Sequence, residues 1–238
     1  MARQGKQYRE ALAKVTADSY GPADAVKLAK EASYVKFNET VELHVHTSAD
    51  PRQQGQQMRE TAQLPSGTGK PVRVMVFAAS DLWNDAKGAG ADLVSDDETL
   101  EKIEKGWTEF DVAIATQDMM PRIAKLGRIL GRKGLMPSPR SGTVVKTEAI
   151  SESIAAAKRG KVEVRMDKGG SIHVPIGVIQ FKEEEILANL NAVYATIAGA
   201  KPSAIKGAFI TKAILTTTMG PSIPLDIEKF QLDGAARD

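Results

Sequence analysis

One short segment near the N-terminus constrains the fold more than any other part of the chain. Residues 40–46 alternate between apolar and polar side chains, with Val41, Leu43 and Val45 on one face. This alternation predicts a β-strand with one buried face and one polar face. No second strand is predicted before residue 70, so the backbone groups of this strand must find their partners in a distant part of the chain.

Strands that could pair with this segment are predicted only after residue 160. Residues 161–166 alternate, residues 167–170 have the composition of a hairpin turn, residues 171–174 form the returning strand, and residues 208–218 form a long strand. Three acidic residues begin an amphipathic helix over residues 183–198, whose inward face carries Ile186, Leu190, Val193, Tyr194 and Ile197. Together with the N-terminal strand, these strands predict a split four-stranded antiparallel sheet with helices on one face.

The middle of the chain has a different rhythm. Three apolar strands between residues 72 and 115 alternate with helical segments, which predicts an inserted parallel α/β domain of the Rossmann-like, three-layer type. The predicted domains are therefore a discontinuous one, residues 1–67 plus 159–238, and an inserted one, residues 68–158. The two crossings between them would form a hinge.

The inserted domain raises one alternative function, that of a nucleotide-dependent enzyme. Its first strand is followed by residues 78–81 (AASD) rather than by a G-x-G-x-x-G motif, and proline follows residues 67–70 where a phosphate loop has Ser or Thr. No nucleophile elbow is present, and the absence of cysteine excludes thiolate catalysis. We therefore expect a noncatalytic protein that needs no cofactor.

The three histidines raise a further alternative, a zinc site. His44 and His46 share the polar face of the N-terminal strand, and His173 lies in the returning strand. Three imidazoles can bind zinc. Histidines on a polar strand face are more often ordinary surface residues, so we expect no metal here.

A basic stretch in the inserted domain indicates a phosphate-bearing partner. Residues 122–146 contain seven Lys or Arg residues and no acidic residue, although the net charge of the chain is only +2. We expect the stretch to begin as a helix and to continue beyond Gly131 as a mobile loop. Single-sign blocks of this kind favour a polyanion over a merely solvated face. The candidate binding residues are Arg122, Lys125, Arg128, Arg132, Lys133 and Arg140.

The end of the long C-terminal strand has an unusual composition, TTTMGP at residues 216–221. Threonine hydroxyls can hydrogen-bond to sugar hydroxyls, methionine can pack against a folded RNA, and glycine permits close approach of the backbone. Taken alone, the motif is better explained by a Thr-rich strand that simply ends in a Gly-Pro turn.

No export or membrane-insertion signal is evident in the sequence. The first residues are polar, and no apolar run approaches the length of a membrane-spanning helix. We expect a soluble, cytoplasmic protein without a membrane partner.

Several motifs resemble those of one protein family. These are KFNETVE, DPR, LPSGTGK, GRKGLMPSPRSGTV, DKGGSIH and TTTMGP, which occur in the order and spacing of the bacterial large-subunit ribosomal protein L-one family. The resemblance covers about residues 3–225. It implies a structural constituent of the large ribosomal subunit, in the mobile stalk beside the tRNA exit site. The implied partners are a 23S rRNA stalk, exit-site tRNA, whose release it would assist, and its own mRNA, which it would repress through a similar RNA fold.

The resemblance also places the main RNA-binding surface on the discontinuous domain. The residues that match the family's binding motifs are Lys36, Phe37, Thr40, Glu42, Asp167, Lys168, Gly169, Thr217, Thr218, Met219 and Gly220. The basic stretch then becomes a secondary surface that contacts RNA backbone. The chain departs from the family motifs at Ser66, Lys133 and Met166, where His, a G-P-R-G sequence and Asn are usual.

Overall fold

A computed structural model describes residues 5–53, 55–139, 141–202, 205 and 207–230. The chain divides into two units. The split unit comprises Met1–Gly69 and Val162–Asp238, and the inserted unit comprises Lys70–Lys161.

Helices and strands follow one another in an order that already separates the units. The α-helices are α1 (Lys6–Leu12), α2 (Pro22–Ala32), α3 (Trp83–Gly88), α4 (Asp97–Glu104), α5 (Met120–Ala124), α6 (Gly127–Arg132), α7 (Ile150–Lys158) and α8 (Glu183–Gly199). The strands are β1 (Thr40–Thr47), β2 (Arg59–Gln63), β3 (Val74–Phe77), β4 (Leu93–Val94), β5 (Val112–Thr116), β6 (Val144–Val145), β7 (Lys161–Arg165), β8 (Ser171–Val178), β9 (Ile210–Thr217) and β10 (Ile223–Leu225). Short 3₁₀-helices occupy Ser80–Leu82, Gln117–Met119 and Thr147–Ala149.

The split unit contains a four-stranded antiparallel sheet in the order β10–β9–β1–β8. As predicted, β1 finds its partners far along the chain, because Val41 pairs with Gly177 on one side and Thr217 on the other. Helices α2 and α8 pack on its apolar face, where Val41, Leu43 and Val45 are buried. The predicted inward residues of α8 are all buried, and the predicted fold class is confirmed.

The membership of this sheet differs from the prediction. β7, predicted to be one of its four strands, instead pairs with β2 in a separate two-stranded sheet, and β10 is the fourth strand. A single bridge between Met166 and Ile172 is what connects the end of β7 to β8. β2 was predicted to be loop because its sequence, RETAQ, is polar and Ala62 is its one buried residue. β10 is only three residues long and contains Pro224, so its sequence carries little strand signal.

The inserted unit contains a parallel sheet in the order β4–β3–β5–β6 with apolar clusters on both faces. Every residue of β3 is buried, as expected for a strand covered by helices on both sides. Asp96 caps the start of α4, since its Oδ1 accepts from Thr99 N at 2.8 Å. The helix predicted for the start of the basic stretch is interrupted between Ala124 and Gly127, giving α5 and α6.

The segment that leaves the split unit toward the inserted unit is fastened to α8 by Asn189. The Asn189 Oδ1 atom accepts from Ser66 N at 2.9 Å, and Nδ2 donates to Gly67 O at 2.9 Å and Ile176 O at 2.7 Å. Asn189 is fully buried, so these bonds are shielded from water. Because Ser66 bonds through its backbone, this contact does not depend on the side chain at that position.

No helix in the described part of the chain is long and apolar enough to cross a membrane.

Candidate nucleic-acid interface

The segment that follows β9 is joined to the start of β1 by hydrogen bonds. Thr218 N donates to Thr40 O at 3.1 Å, and Thr40 N donates to Thr218 Oγ1 at 3.1 Å. One step inward, Thr217 pairs with Val41. The structure thus brings together Thr40 and residues 217–220, which lie far apart in the sequence. We call this group, together with Phe37, which precedes Thr40 by three residues in the chain, the strand-end cluster.

A buried carboxylate fixes the backbone of the strand-end cluster. Glu39 is 1% exposed; its Oε1 accepts from Met219 N at 2.9 Å and its Oε2 accepts from Ser33 Oγ at 2.6 Å. The Tyr34 hydroxyl donates to Met219 O at 2.8 Å, so both backbone polar groups of Met219 are held. Neither Glu39 nor Tyr34 was among the predicted site residues. The one sequence signal was the position of Glu39 inside the motif KFNETVE.

Two large apolar side chains stand exposed on the strand-end cluster. Phe37 is 53% exposed and Met219 is 49% exposed, and in the described part of the chain only Leu12 is a comparable case. Lys36, next to Phe37, is also exposed. A depression beside Met219 is lined by Tyr8, Tyr34, Thr218, Gly220 and the start of α1. Large apolar side chains that are exposed to solvent are typical of a contact surface.

Gly220 was predicted to permit close approach of the backbone to a folded RNA. In the structure, a neighbouring side chain of the protein requires glycine at this position. A Cβ atom at this position would collide with Oγ1 of Thr217. The Thr217 Oγ1 atom is buried and has no hydrogen-bond partner among the described residues. The close approach that excludes larger residues is therefore to the protein's own threonine.

The turn at residues 167–170 is shaped by the side chain of Asp167. Its Oδ1 accepts from Gly169 N and from Ser171 N, both at 2.8 Å. The hydrogen bond from Ser171 N has the largest effect, and together with the bond from Gly169 N it lowers the pKa of the Asp167 carboxyl. Asp167, predicted to bind RNA, is thus engaged in forming the turn, and the exposed Lys168 and Gly169 are what the turn presents to solvent.

The turn and the strand-end cluster lie at opposite ends of β1. Thr40 is in register with Val178 and His46 with Ser171, so about six residue steps, or roughly 20 Å, separate the two ends. The polar face of the sheet lies between them, opposite the helices. Glu42, predicted to bind RNA, projects from this face near one end.

Two histidines meet in the middle of this polar face. His44 Nδ1 lies 2.5 Å from His173 Nδ1, with the rings edge to face. Burial lowers the pKa of His44, the charge of His173 lowers it further, and Glu42 opposes both. His46 does not join them, because its Nδ1 contacts Ser171 Oγ at 3.0 Å instead. No group of three metal-ligating side chains occurs in the described ranges.

The basic residues of the inserted unit lie on and around α5 and α6. Arg122 is in α5, Arg128 and Arg132 are in α6, and Lys125 and Lys133 follow these helices. All five are exposed. Lys133 Nζ contacts Thr108 Oγ1, whereas within the described ranges no ion pair joins the other four to a carboxylate.

Beyond α6 the described part of the basic stretch is loop and turn, as predicted, up to the short strand β6. Arg132 belongs to a helix, and the segment after it folds into a turn in which Ser138 N donates to Thr143 Oγ1 at 2.9 Å and Thr143 N donates to Ser138 O at 3.2 Å. Pro137 is buried beneath this turn. Arg140 lies outside the described residues.

Comparisons with known proteins extend over nearly the whole chain. Residues 28–221 match the sequence profile of the ribosomal protein L1p/L10e family. The chain is 42% identical to the large ribosomal subunit protein uL1 of Dehalococcoides mccartyi, over 99% of this chain and 100% of the relative. It is 46% identical to the protein of that name from Kosmotoga olearia, over 96% and 99% of the two chains. For Thermobifida fusca the identity is 47%, over 94% and 95%.

Proposed function

The chain belongs to the ribosomal protein L1p/L10e family, and on this premise we propose that it binds a stalk of 23S rRNA through its split unit. It is a protein of the large ribosomal subunit rather than an enzyme, and it acts on the ribosome in the cytoplasm. The proposal extends to contact with exit-site tRNA, assistance of its release, and repression of the chain's own mRNA through a similar RNA fold.

The observation that carries the proposal is the fixed backbone at Met219. Glu39 and Tyr34 hold its N–H and C=O groups from within the fold, while its side chain stays exposed beside Thr218. RNA helices present few readable base edges, so proteins recognise them by shape, sugar hydroxyls and packing. A rigid backbone that presents apolar and hydroxyl groups suits that mode of recognition, because little entropy is lost when RNA binds.

The polar face of the sheet extends this surface from the strand-end cluster to the turn. Its length of roughly 20 Å matches an RNA segment longer than a single loop. Lys168 at the far end supplies a cation for a phosphate, and Lys36 supplies another near Phe37. The strand-end cluster and the turn at residues 167–170 lie at a fixed spacing. Together they would select RNAs by the shape of the folded stalk.

The exposed cations of the inserted unit support a second, less specific contact. Arg122, Lys125, Arg128 and Arg132 carry no neighbouring carboxylate within ion-pair distance in the described ranges. Unpaired guanidinium and ammonium groups bind phosphates without reading sequence. We assign the tRNA contact to this surface.

The alternative of a nucleotide-dependent enzyme has no support at the carboxyl end of β3. The backbone there is occupied by the protein's own groups, since Ala78 N donates to Ser95 Oγ at 3.2 Å and Trp83 Nε1 donates to Ala78 O at 3.0 Å. A phosphate loop requires free backbone N–H groups at this place.

Binding to an isolated 23S rRNA stalk fragment tests the proposal directly. The expected result is saturable binding that a hairpin of equal length and unrelated sequence does not displace at moderate salt. Co-sedimentation of the full chain with large subunits at the same salt is the companion measurement. Equal affinity for the stalk fragment and the unrelated hairpin would contradict specific recognition.

A further inference from the structure

The two imidazoles on the polar face belong to a row of four titratable side chains. His44 Nε2 lies 3.5 Å from Glu42 Oε2, and His173 Nε2 lies 3.6 Å from Asp167 Oδ2. Between them the two Nδ1 atoms are 2.5 Å apart. The row therefore runs from a residue near the strand-end cluster to the residue that shapes the turn.

The geometry of this row sets the number of protons that it holds. Each Nε2 atom faces a carboxylate within ion-pair distance, so a hydrogen on that nitrogen would be stabilised there. A hydrogen bond between the two Nδ1 atoms needs one hydrogen, because two lone pairs at 2.5 Å would repel each other. Two neutral rings hold two hydrogens, one between the Nδ1 atoms and one on a single Nε2 atom. A third hydrogen, on the other Nε2 atom, makes one ring an imidazolium, and this is the one proton that the pair can take up.

We propose that His44 and His173 form a single binding site for one shared proton, and that RNA binding fills this site, so that affinity for RNA rises as the pH falls. This inference rests on the proposed binding of rRNA to the polar face. It makes the two histidines a coupled pair rather than two independent surface residues.

The charges around the pair determine the direction of the effect. In the free chain, burial and the neighbouring imidazole hold the pKa of His44 below its usual range, which disfavours a proton on that ring. A phosphate backbone on this face adds negative charge, which raises the pKa of the pair. The resulting gain in affinity is present at low pH and is lost as the pH rises through the pKa of the RNA-bound pair.

Few other groups on neighbouring elements can produce the same dependence. On β9, Lys212 stands opposite His46, and the neighbour of His44 is the uncharged Ile214. On β10, the residue paired with Ile214 is Pro224, which is also uncharged. In the turn, the charged side chains are Asp167, which already belongs to the row, and Lys168. His46 is the one further histidine, and it provides the matched control.

The test measures the affinity of the full chain for a 23S rRNA stalk fragment from pH 5.5 to 8 at constant salt. Uptake of one proton allows a change of at most about tenfold per pH unit, and we expect roughly three- to tenfold over this interval. The double variant His44→Gln/His173→Gln should lose the dependence, and His46→Gln should retain it. Each single variant should keep a dependence as large as that of the wild type, because the remaining imidazole still takes up one proton. Single variants that each keep about half of the dependence would show two independent histidines and overturn the proposal.

A measurement without RNA separates this inference from the proposed function. In ¹⁵N NMR of the free chain, His44 and His173 should titrate together, and His173→Gln should shift the pKa of His44, whereas His46→Gln should not. Independent titration of the two rings would overturn the pair even if RNA binds. Coupled titration in a chain that binds no stalk RNA at any pH would instead contradict the proposed function. Far-UV circular dichroism of each variant verifies that it is folded.

Discussion

The strand-end cluster of the split unit and the basic helices of the inserted unit hold their candidate RNA-binding groups in different ways. At the strand end, Met219 is fixed by a carboxylate that is 1% exposed and by a tyrosine hydroxyl. On the short helices α5 and α6, Arg122, Arg128 and Arg132 are exposed. One surface is shaped by buried hydrogen bonds, and the other is defined by charge alone.

This difference indicates how the two surfaces would discriminate between RNAs. A rigid arrangement of apolar and hydroxyl groups loses affinity for any RNA of the wrong shape, since buried groups would then lack partners. Exposed cations bind any phosphate backbone and weaken steeply with salt. The net charge of +2 for the whole chain conceals this division, because it averages over both units.

The largest effect in a test of this comparison is expected from Glu39→Ala. Met219 N and Ser33 Oγ would lose their charged acceptor, and hydrogen bonds to charged groups contribute about 1.5–3 kcal/mol each. We expect the free energy of unfolding of the split unit to fall by about 2–4 kcal/mol, with weaker binding of the stalk fragment.

Both tryptophans, Trp83 and Trp107, lie in the inserted unit. Tryptophan fluorescence therefore follows the unfolding of that unit, whereas circular dichroism follows both units. Glu39→Ala should shift the urea transition followed by circular dichroism and leave that followed by tryptophan fluorescence in place. Glu31→Ala, at an exposed position of α2, is the control. An unchanged transition in both signals would mean that Glu39 does not stabilise the strand end.

A smaller effect is expected from Met219→Ala, which shortens an exposed side chain without disturbing the fold. If Met219 packs against RNA, affinity for the stalk fragment should fall by about 1–3 kcal/mol, the range for burial of such a side chain. The salt dependence should not change, because no cation is removed. Thr218→Val should act in the same range but also removes the acceptor for Thr40 N.

Leu12→Ala is the matched control for Met219→Ala, since Leu12 is the other large exposed aliphatic side chain in the described part of the chain. It should leave RNA affinity unchanged. Equal losses from both substitutions would assign the effect to general surface hydrophobicity.

Neutralising Arg132 and Lys133 tests the other side of the comparison. The double change to glutamine should reduce the slope of log affinity against log salt by up to about one for each phosphate that these cations neutralise in the wild-type complex. We expect this on ribosomes occupied by tRNA and only a small change on the stalk fragment.

The control is the double change of Lys102 and Lys105 to glutamine, because both lysines are paired with glutamates on α4, at 3.7 and 3.8 Å. Their removal should not alter the slope. If the Arg132/Lys133 variant failed to bind the stalk fragment instead, the assignment of recognition to the split unit would be wrong.

The smallest effect is expected from removal of the inserted unit. A chain that joins residues 1–69 to residues 161–238 through a short Gly-Ser linker should fold, because the buried core of the split unit, as far as the structure describes it, contains no residue of the insertion. Its affinity for the stalk fragment should stay within about threefold of that of the full chain, well under 1.4 kcal/mol. Loss of specific binding with an intact circular dichroism spectrum would move the main surface to the inserted unit.

The prediction from sequence succeeded where periodicity was strong. The alternation at residues 40–46 and the apolar face of α8 identified the split sheet and its cover before any partner strand was known. It failed for β2, β6 and β10, which are two to five residues long and polar, partly exposed or interrupted by proline. In such segments the pairing partner, rather than the local sequence, determines the structure.

The interactions within the candidate site could not be predicted from the sequence. Glu39 and Met219 are 180 positions apart, so no local pattern links them. The same holds for His44 and His173, which the sequence connected only through a zinc site that we did not expect. Asp167 was predicted from a motif that does not show whether its carboxylate faces RNA or its own backbone.

The central position of β1 in its sheet has a consequence for synthesis of the protein. The strand is complete at Thr47, but its neighbours β8 and β9 end at Val178 and Thr217, about 130 and 170 residues later. At about 5–20 residues per second, β1 waits roughly 9–34 seconds until both are synthesised. All residues of the inserted unit are translated during that interval, so the middle of the chain can fold before its beginning. A nascent chain therefore carries the basic helices well before it carries the strand-end cluster, and a chain terminated early would bind RNA by charge alone.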